Sequence, residues 1–507
     1  MFKKLIGLSV MLSFVATLSL AGSGCSKDEK KAPGPADQDL SSVHTLSQAE
    51  RIYFLKRTHF AFRPSELQRL NQMGYEAYLD WMLSLETDPA LEAQALAATV
   101  ADPDYPSTTE IARWWEWLMV HNPNPFQELL AMFWHDHFAT SDEVLDAQSM
   151  YWMFKHINLW RQHGTDKLPD LLEAMARDWT MLIWLDGYVS TKNAPNENFA
   201  REFWELFTLG ADNGYTQADI VEASRAFTGY RRILVPDNAG AGRDQFVMVF
   251  DTNRHDYSNK TILGQTLFGT GLSEYRDMVD ITLANGQVAE FICKKIWEQF
   301  VYLNPSASVL KNLSAGFRAS GYDLKALFKR IFMSKAFFSQ TSRDGLVKSP
   351  VEHHVGFIRA TGLDVFTSRL DSGLVDTAQR PSQPPTVNGW PSGGFWLSSQ
   401  ALVERANFLR DCIYYSHESP QAGYDVGLAL IPANKTGDGE VVDQLAWLLQ
   451  VDLEPNQRQA AIDYLNTDRN GTGNFADPWN FNDPVDRDKK IRGLLYILGQ
   501  HPTYQIR

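Results

Sequence analysis

From Ser47 onward, apolar residues recur three and four positions apart through most of the chain. That period suits one face of an α-helix and not the alternation of a strand, so it restricts the chain to a helical architecture. Leu46-Ser47-Gln48-Ala49-Glu50 opens the pattern, with Ser47 and Glu50 spaced for a capping box. Arg63-Pro64-Ser65-Glu66 interrupts it, and residues 66–85 resume it. Residues 114–120 and 126–138 read as aromatic-rich helices separated by the loop His121-Asn122-Pro123-Asn124-Pro125. Helical spacing returns over 150–161, 168–178, 198–209 and 218–227, the last two stretches followed by Gly210 and Gly229 where C-cap glycines belong. Further helices are expected over 277–283, 288–301, 324–332, 351–363, 398–416 and 491–498.

The period changes once. Residues 231–236 and 245–251 alternate and are rich in Val, Ile and Phe, with Asp237-Asn238-Ala239-Gly240 between them. This predicts a β-hairpin, followed by a loop over 253–264. Residues 381–394 form a Pro/Gly-rich loop, and 468–488 are rich in Asn, Asp, Gly and Pro. The expected fold class is therefore mainly α: a single large helical domain over 46–507 with a small β-hairpin insertion near residues 231–251.

The first residues follow a different logic. Lys3 and Lys4 precede a 16-residue apolar run, residues 5–20, too short for a comfortable membrane span and suited to a secretory signal. Ala21-Gly22-Ser23-Gly24 then leads into Cys25, which resembles a bacterial lipobox with Cys25 as the lipidated first residue. Gly22 stands where that pattern prefers Leu. The expectation is a signal peptide over 1–24, then a lipidated Cys25 and a flexible tether over 25–45, because Lys, Asp, Pro, Gly and Ser dominate there and cannot bury a core. Acyl chains on Cys25 would attach the protein to a membrane without a spanning helix. The expected location is the cell envelope, at the outer membrane or periplasmic face.

Charge narrows the partners. The 507 residues carry a net charge of −14; losing Lys3 and Lys4 with the signal leaves 483 residues with 45 basic against 61 acidic ones, a balance of −16. An acidic chain lacks the electrostatic footprint for nucleic acid, so none is expected as a partner. Besides Cys25, only Cys293 and Cys412 remain, too few for a cysteine zinc site; whether they pair is left open, although Cys293 fits a buried small hydrophobe.

Three constellations could carry chemistry. In Phe133-Trp134-His135-Asp136-His137-Phe138, two histidines flank an aspartate at a helix end. Residues two apart on a regular helix diverge, so His135 and His137 share an ion only if the helix unwinds; otherwise they hydrogen-bond within an aromatic core. In the 195–206 stretch, Glu197, Arg201 and Glu205 share one helix face as a solvated ion-pair stripe. Glu202 falls on the face of Leu206 and Leu209 and there requires a partner. The third is His255-Asp256, on the loop after the hairpin. Asp468-Arg469-Asn470-Gly471 faintly suggests a calcium loop, but Trp479 occupies the position that needs a bidentate Glu, which rejects an EF-hand.

Together these stretches resemble the bacterial "domain of unknown function 1800" proteins. The likeness rests on residues 133–141 and 196–202, on Glu205-Leu206-Phe207-Thr208-Leu209-Gly210, and on Ala226-Phe227-Thr228-Gly229-Tyr230 with His255-Asp256. Lys348-Ser349-Pro350-Val351-Glu352 and Asn388-Gly389-Trp390-Pro391 complete it, while Trp204 and His59 depart from the pattern. The resemblance implies an exported, mainly helical protein, often encoded beside sulfatase- or phosphatase-fold partners, and supplies no activity.

Two functions follow as expectations. In the first, the chain is a metal-dependent hydrolase or oxidase. His135, His137, His255 and Glu202 hold a transition metal, with His255, Asp256, Glu197 and Glu202 as catalytic groups and Arg201 orienting a carboxylate or anionic substrate. In the second, it is a non-catalytic scaffold docking a secreted sulfatase- or phosphatase-fold partner, its polar motifs a buried network that fixes the fold.

Overall fold

The computed structural model describes residues 34–236, 244–343, 345–363, 367–415, 425–467 and 479–507. The signal peptide, Cys25, the hairpin turn at 237–240 and the 468–478 segment lie outside the described residues. Among the described residues the chain is mainly α, with two small two-stranded antiparallel sheets. No helix among them is long and apolar enough to cross a membrane.

The helices begin where local chemistry can satisfy their free N–H groups. Ser47, Ser107 and Ser349 each form a capping box with a glutamate three residues on. Asp483 accepts from the N–H groups of Val485 and Asp486. With Pro484 at the first helical position, it starts the last long helix at Pro484–Gly499, seven residues before the expected start. Helices over Pro89–Thr99, Ala307–Ala319, Thr367–Asp376, Asp438–Leu449 and Pro455–Leu465 add to those expected.

At the centre lies the helix Pro125–His137, in which every residue except Asp136 is buried. A helix apolar on all sides must be packed on all sides. The helices Thr108–His121, Tyr151–His163 and Gln48–Thr58 pack against it, and Thr108–His121 in turn contacts Pro350–Thr361 and Thr367–Asp376. The buried apolar side chains form one continuous cluster from Leu46 to Tyr504. Trp114 and Trp115 belong to it, whereas Trp117 is partly exposed.

The expected hairpin is present as strands Tyr230–Val235 and Gln245–Phe250, with Tyr230 paired to Phe250 and Val235 to Gln245. A second hairpin, Lys260–Ile262 with Gln265–Leu267, occupies part of the stretch expected to be loop. Its two turn residues, Leu263 and Gly264, have φ of 49° and 74°, the left-handed pair of a tight hairpin turn. Strands of three residues are too short to register as an alternation.

The tether expectation needs correction from residue 35. Pro35–Gln38 forms a 3₁₀ turn, Ser42 bridges to Ser334, and Val43 N–H donates to Met333 O at 2.6 Å. The Tyr302 hydroxyl donates to Asp37 O at 2.8 Å. Backbone pairing to the 331–336 segment docks a polar stretch that could not bury a core of its own. Cys293 and Cys412 are both buried and unpaired, each behaving as a small hydrophobe.

Candidate functional site around the His135-Asp136-His137 turn

The central helix stays helical through His137 and ends only at Phe138, whose N–H bonds Trp134 O. Because the helix does not unwind, the two histidines diverge, as the geometry of residues two apart requires. The His135 ring points inward, with ring centres 5.5 Å from Trp115, 5.3 Å from His156 and 5.7 Å from Trp390. It is fully buried, and neither ring nitrogen has a partner. Burial, with His156 adding to it, holds its pKa well below the ordinary value, so the ring is neutral. His137 turns the other way and donates from Nε2 to Phe207 O at 3.0 Å. Burial pushes its pKa down to about 3.

Between them, Asp136 is the one residue of the helix that is only partly buried. Its Oδ1 accepts the Trp390 N–H at 2.7 Å. Burial pushes its carboxyl up to about 6, against the Trp390 hydrogen bond and the nearby Lys295. The loop fits over the carboxylate because residue 389 is glycine: φ is 80°, and a Cβ would stand 2.2 Å from Asp136 Oδ1. A few residues on, Asp142 clamps the same loop, accepting from Ser382 Oγ at 2.6 Å and Gln383 Nε2 at 2.8 Å. Burial raises it, too, to about 6. Phe207 belongs to the 205–210 motif and Trp390 to the 388–391 motif, so three motifs meet at this turn.

A hydrogen-bonded relay lies behind His135. Trp160 Nε1 donates to His156 Nε2 at 3.1 Å, which makes Nε2 an acceptor and leaves Nδ1 to donate to Asp178 Oδ1 at 2.8 Å. Thr140 Oγ1 sits 2.8 Å from the same Nε2.

Sequence reasoning missed two buried features on neighbouring helices. Arg161 bonds both oxygens of Glu128 and Oε1 of Glu92, all at 3.1 Å or less, while Trp115 Nε1 donates to Glu128 at 3.0 Å. Glu116 is fully buried with both carboxyl oxygens unpartnered, and burial with Asp371 nearby raises it well above the carboxylate range. A charged residue inside Trp114-Trp115-Glu116-Trp117 was the available signal.

The other expected site residues lie elsewhere. Glu197 and Glu205 pair with Arg201 at 3.1 and 3.4 Å on a partly exposed face, and Gln217 bridges Arg201 and Glu197. Arg201 is thus spent on two glutamates of its own helix and on Gln217 of the next. Glu202 is half-buried, and burial with Glu205 beside it raises its pKa. The Arg201 cation beside it acts in the other direction but does not prevail.

His255 is fully buried, with Nδ1 2.9 Å from Thr228 O and Nε2 2.7 Å from Glu274 Oε1. Lys260 Nζ takes the other Glu274 oxygen at 2.5 Å, and Gly271 N–H donates to Oε1. Both ring nitrogens face acceptors, leaving none for a metal. Burial acts to raise Asp256, yet hydrogen bonds from Arg225 (2.7 Å) and Ser258 (2.9 Å) prevail and bring it to about 2, a poor general base. Gln217 and Arg225, which carry these two clusters, are about 12 Å apart along one helix.

The ligand set His135, His137, His255 and Glu202 is therefore not gathered. Among the described residues, no group of three or more His, Cys, Asp or Glu side chains is placed to hold a metal ion. No curated protein and no solved structure matches the chain. The family pattern described as "protein of unknown function (DUF1800)" matches residues 53–506. With nearly the whole described body inside that match, the chain belongs to this family.

Proposed function

We propose that the chain is an exported envelope lipoprotein, anchored through Cys25, that serves as a non-catalytic helical scaffold docking a secreted sulfatase- or phosphatase-fold partner. The observation that carries this reading is the use to which the motif residues are put. His137 and Asp136 bond backbone groups, and Asp142, His255, Asp256 and Arg201 bond side chains of neighbouring residues, and so hold helices and loops together. Closed networks of this kind suit a rigid platform better than a reaction site that must bind and release substrate.

The test is fractionation of cells expressing the chain with such a partner. The partner should follow the wild-type chain to the membrane and become soluble when Cys25→Ser releases it. A partner distribution indifferent to deletion of the chain would overturn the docking, and stoichiometric metal in protein purified without a His-tag would overturn the non-catalytic assignment.

One observation favours a second reading, a hydrolytic enzyme. Asp136 combines partial solvent access with a carboxyl raised to about 6, the range of a general acid. An Asp136→Asn variant that folds normally but loses the cellular function would favour it.

A further inference from the structure

In a chain of net charge −14, the stretch from Gln299 to Lys335 carries six basic residues against one acidic residue, Asp323. It forms the helices Ala307–Ala319 and Leu324–Phe332, which pack against each other. On the first, Lys311 and Arg318 lie two turns apart on one exposed face, with Ser308 and Asn312 beside Lys311. Arg330 reaches over from the second helix and lies across Gly316, where any Cβ would collide with its Nη1.

Few of these charges are neutralised. Lys329 pairs with Asp80 at 2.7 Å and Lys335 with Asp39 at 3.4 Å. Asp323 is committed to the start of its own helix, accepting the Ala326 N–H at 2.8 Å. Arg318 donates to Gly286 O at 3.3 Å, and Arg330 donates to the two oxygens of Asn312. Among the described residues no carboxylate pairs with either arginine, nor with Lys311 or Lys325.

The N-terminal segment docks on this same face. Ser306 Oγ donates to Gln38 Oε1 at 2.7 Å, and the Lys335 N–H donates to Ser41 O at 3.0 Å. Between segment and helices opens a groove of about 330 Å³, with Asp39 and Ser41 on one side and Ser308, Asn312 and Arg330 on the other. Gly34 stands nine residues after Cys25, a reach of at most about 32 Å. A lipid on Cys25 therefore holds this face within that distance of a bilayer.

We propose that the basic face of these two helices rests on an anionic phospholipid bilayer, with a headgroup phosphate entering the groove beside Arg330. The proposal rests on the lipid anchor at Cys25, which brings the face to the membrane. The anchor by itself leaves the body free to turn. Charge fixes which side it turns, because the rest of the chain is net acidic and is repelled by the same surface. Phosphate oxygens match the guanidinium donors of Arg330 and Arg318, and each basic residue near an anionic surface strengthens binding about fivefold. The side away from the bilayer is then the one presented to a docked partner.

The test is vesicle sedimentation of the chain from Ser26 onward, which keeps every described residue and lacks the anchor. Vesicles of phosphatidylglycerol with phosphatidylcholine are compared with vesicles of phosphatidylcholine alone. The expected result is sedimentation with the anionic vesicles only, weakening as salt is raised. Lys311→Gln combined with Arg318→Gln should weaken partition about tenfold or more. Lys192→Gln combined with Lys435→Gln removes the same charge from exposed positions elsewhere and should leave partition unchanged. Absence of sedimentation with anionic vesicles overturns the proposal, as does equal binding to both vesicle types. An unchanged partition in the first pair, or an equal loss in both pairs, overturns it as well. Should the Lys311 and Arg318 pair fail to fold, Lys311→Glu at its exposed position decides: a loss of about tenfold is expected, and no loss overturns the proposal. Failure here leaves the anchor untouched, since the assay contains none; the anchor is judged by the Cys25→Ser fractionation.

Discussion

Asp136 Oδ1 accepts the backbone N–H of Trp390 at 2.7 Å, joining two family motifs that lie 254 residues apart in the chain. The central helix is thereby locked to the loop that covers its end.

The lock depends on Gly389. Its φ of 80° and the 2.2 Å that would separate a Cβ from Asp136 Oδ1 leave no room for a side chain. Gly389→Ala should destabilise the protein by about 1–3 kcal/mol, combining left-handed strain with a displaced carboxylate. Urea unfolding would register this as a lower midpoint at an unchanged slope; an unchanged midpoint would show that the loop does not hold the helix end.

Acid should unfold the protein through its buried histidines. His59, His135, His353 and His354 are held well below 6.5 by burial, with charged or histidine neighbours adding to it, and His137 lies at about 3. Each binds a proton in the unfolded chain below about pH 6.5 but not in the folded one, so stability falls as pH drops from 6.5 toward the folded values. Asp136 and Asp142, raised to about 6, act in the opposite direction between about pH 4 and 6, as do the raised Glu116 and Glu202, but these four carboxyls face five imidazoles. His135→Phe, which removes two unpartnered nitrogens, should leave stability at pH 7 within about 1 kcal/mol of wild type. It should also flatten the loss below pH 6.5 by up to about 1.4 kcal/mol per pH unit. Urea midpoints at half-unit pH steps give the slope, and a slope identical to wild type would contradict the neutral buried ring.

Glu116 should be dispensable as an acid. Burial raises its carboxyl well above the carboxylate range, which favours the neutral acid, and Glu116→Gln keeps a neutral group of the same shape. The expected change in unfolding free energy at pH 7 is within about 1 kcal/mol. A loss of several kcal/mol would mean that the wild-type group is ionised and paired.

Arg161 should not be dispensable. Arg161→Met leaves Glu128 buried with no cation, and removing one partner of a buried pair costs about 3–5 kcal/mol. Adding Glu128→Gln to that variant should recover much of the loss, since the stranded charge is then gone as well. Failure of the double variant to recover any of it would show that packing of the Arg161 stem, rather than charge, dominates.

Much of the architecture was legible because helical periodicity, capping serines and turn glycines are local. Ser47–Glu50, the helix break at Arg63-Pro64 and the 230–250 hairpin emerged where their own residues placed them. The Asp483-Pro484 start was equally local yet hidden in a polar stretch, and the short 260–267 hairpin fell below the length at which alternation can be read. The docking of residues 35–43 rests on backbone bonds to residues nearly 300 positions away, which composition does not encode.

By itself, the sequence determined that this chain is helical, that Glu197, Arg201 and Glu205 form a stripe, and that His135 and His137 diverge on a regular helix. Each of those follows from the 3.6-residue repeat. Only the tertiary structure decided what the side chains meet: Trp390 for Asp136, Phe207 for His137, Glu274 for His255, and the Tyr504 ring for Lys348. Partners of a buried polar group are chosen by which helices pack together, and that choice is made by apolar burial over the whole chain rather than by the residues beside it.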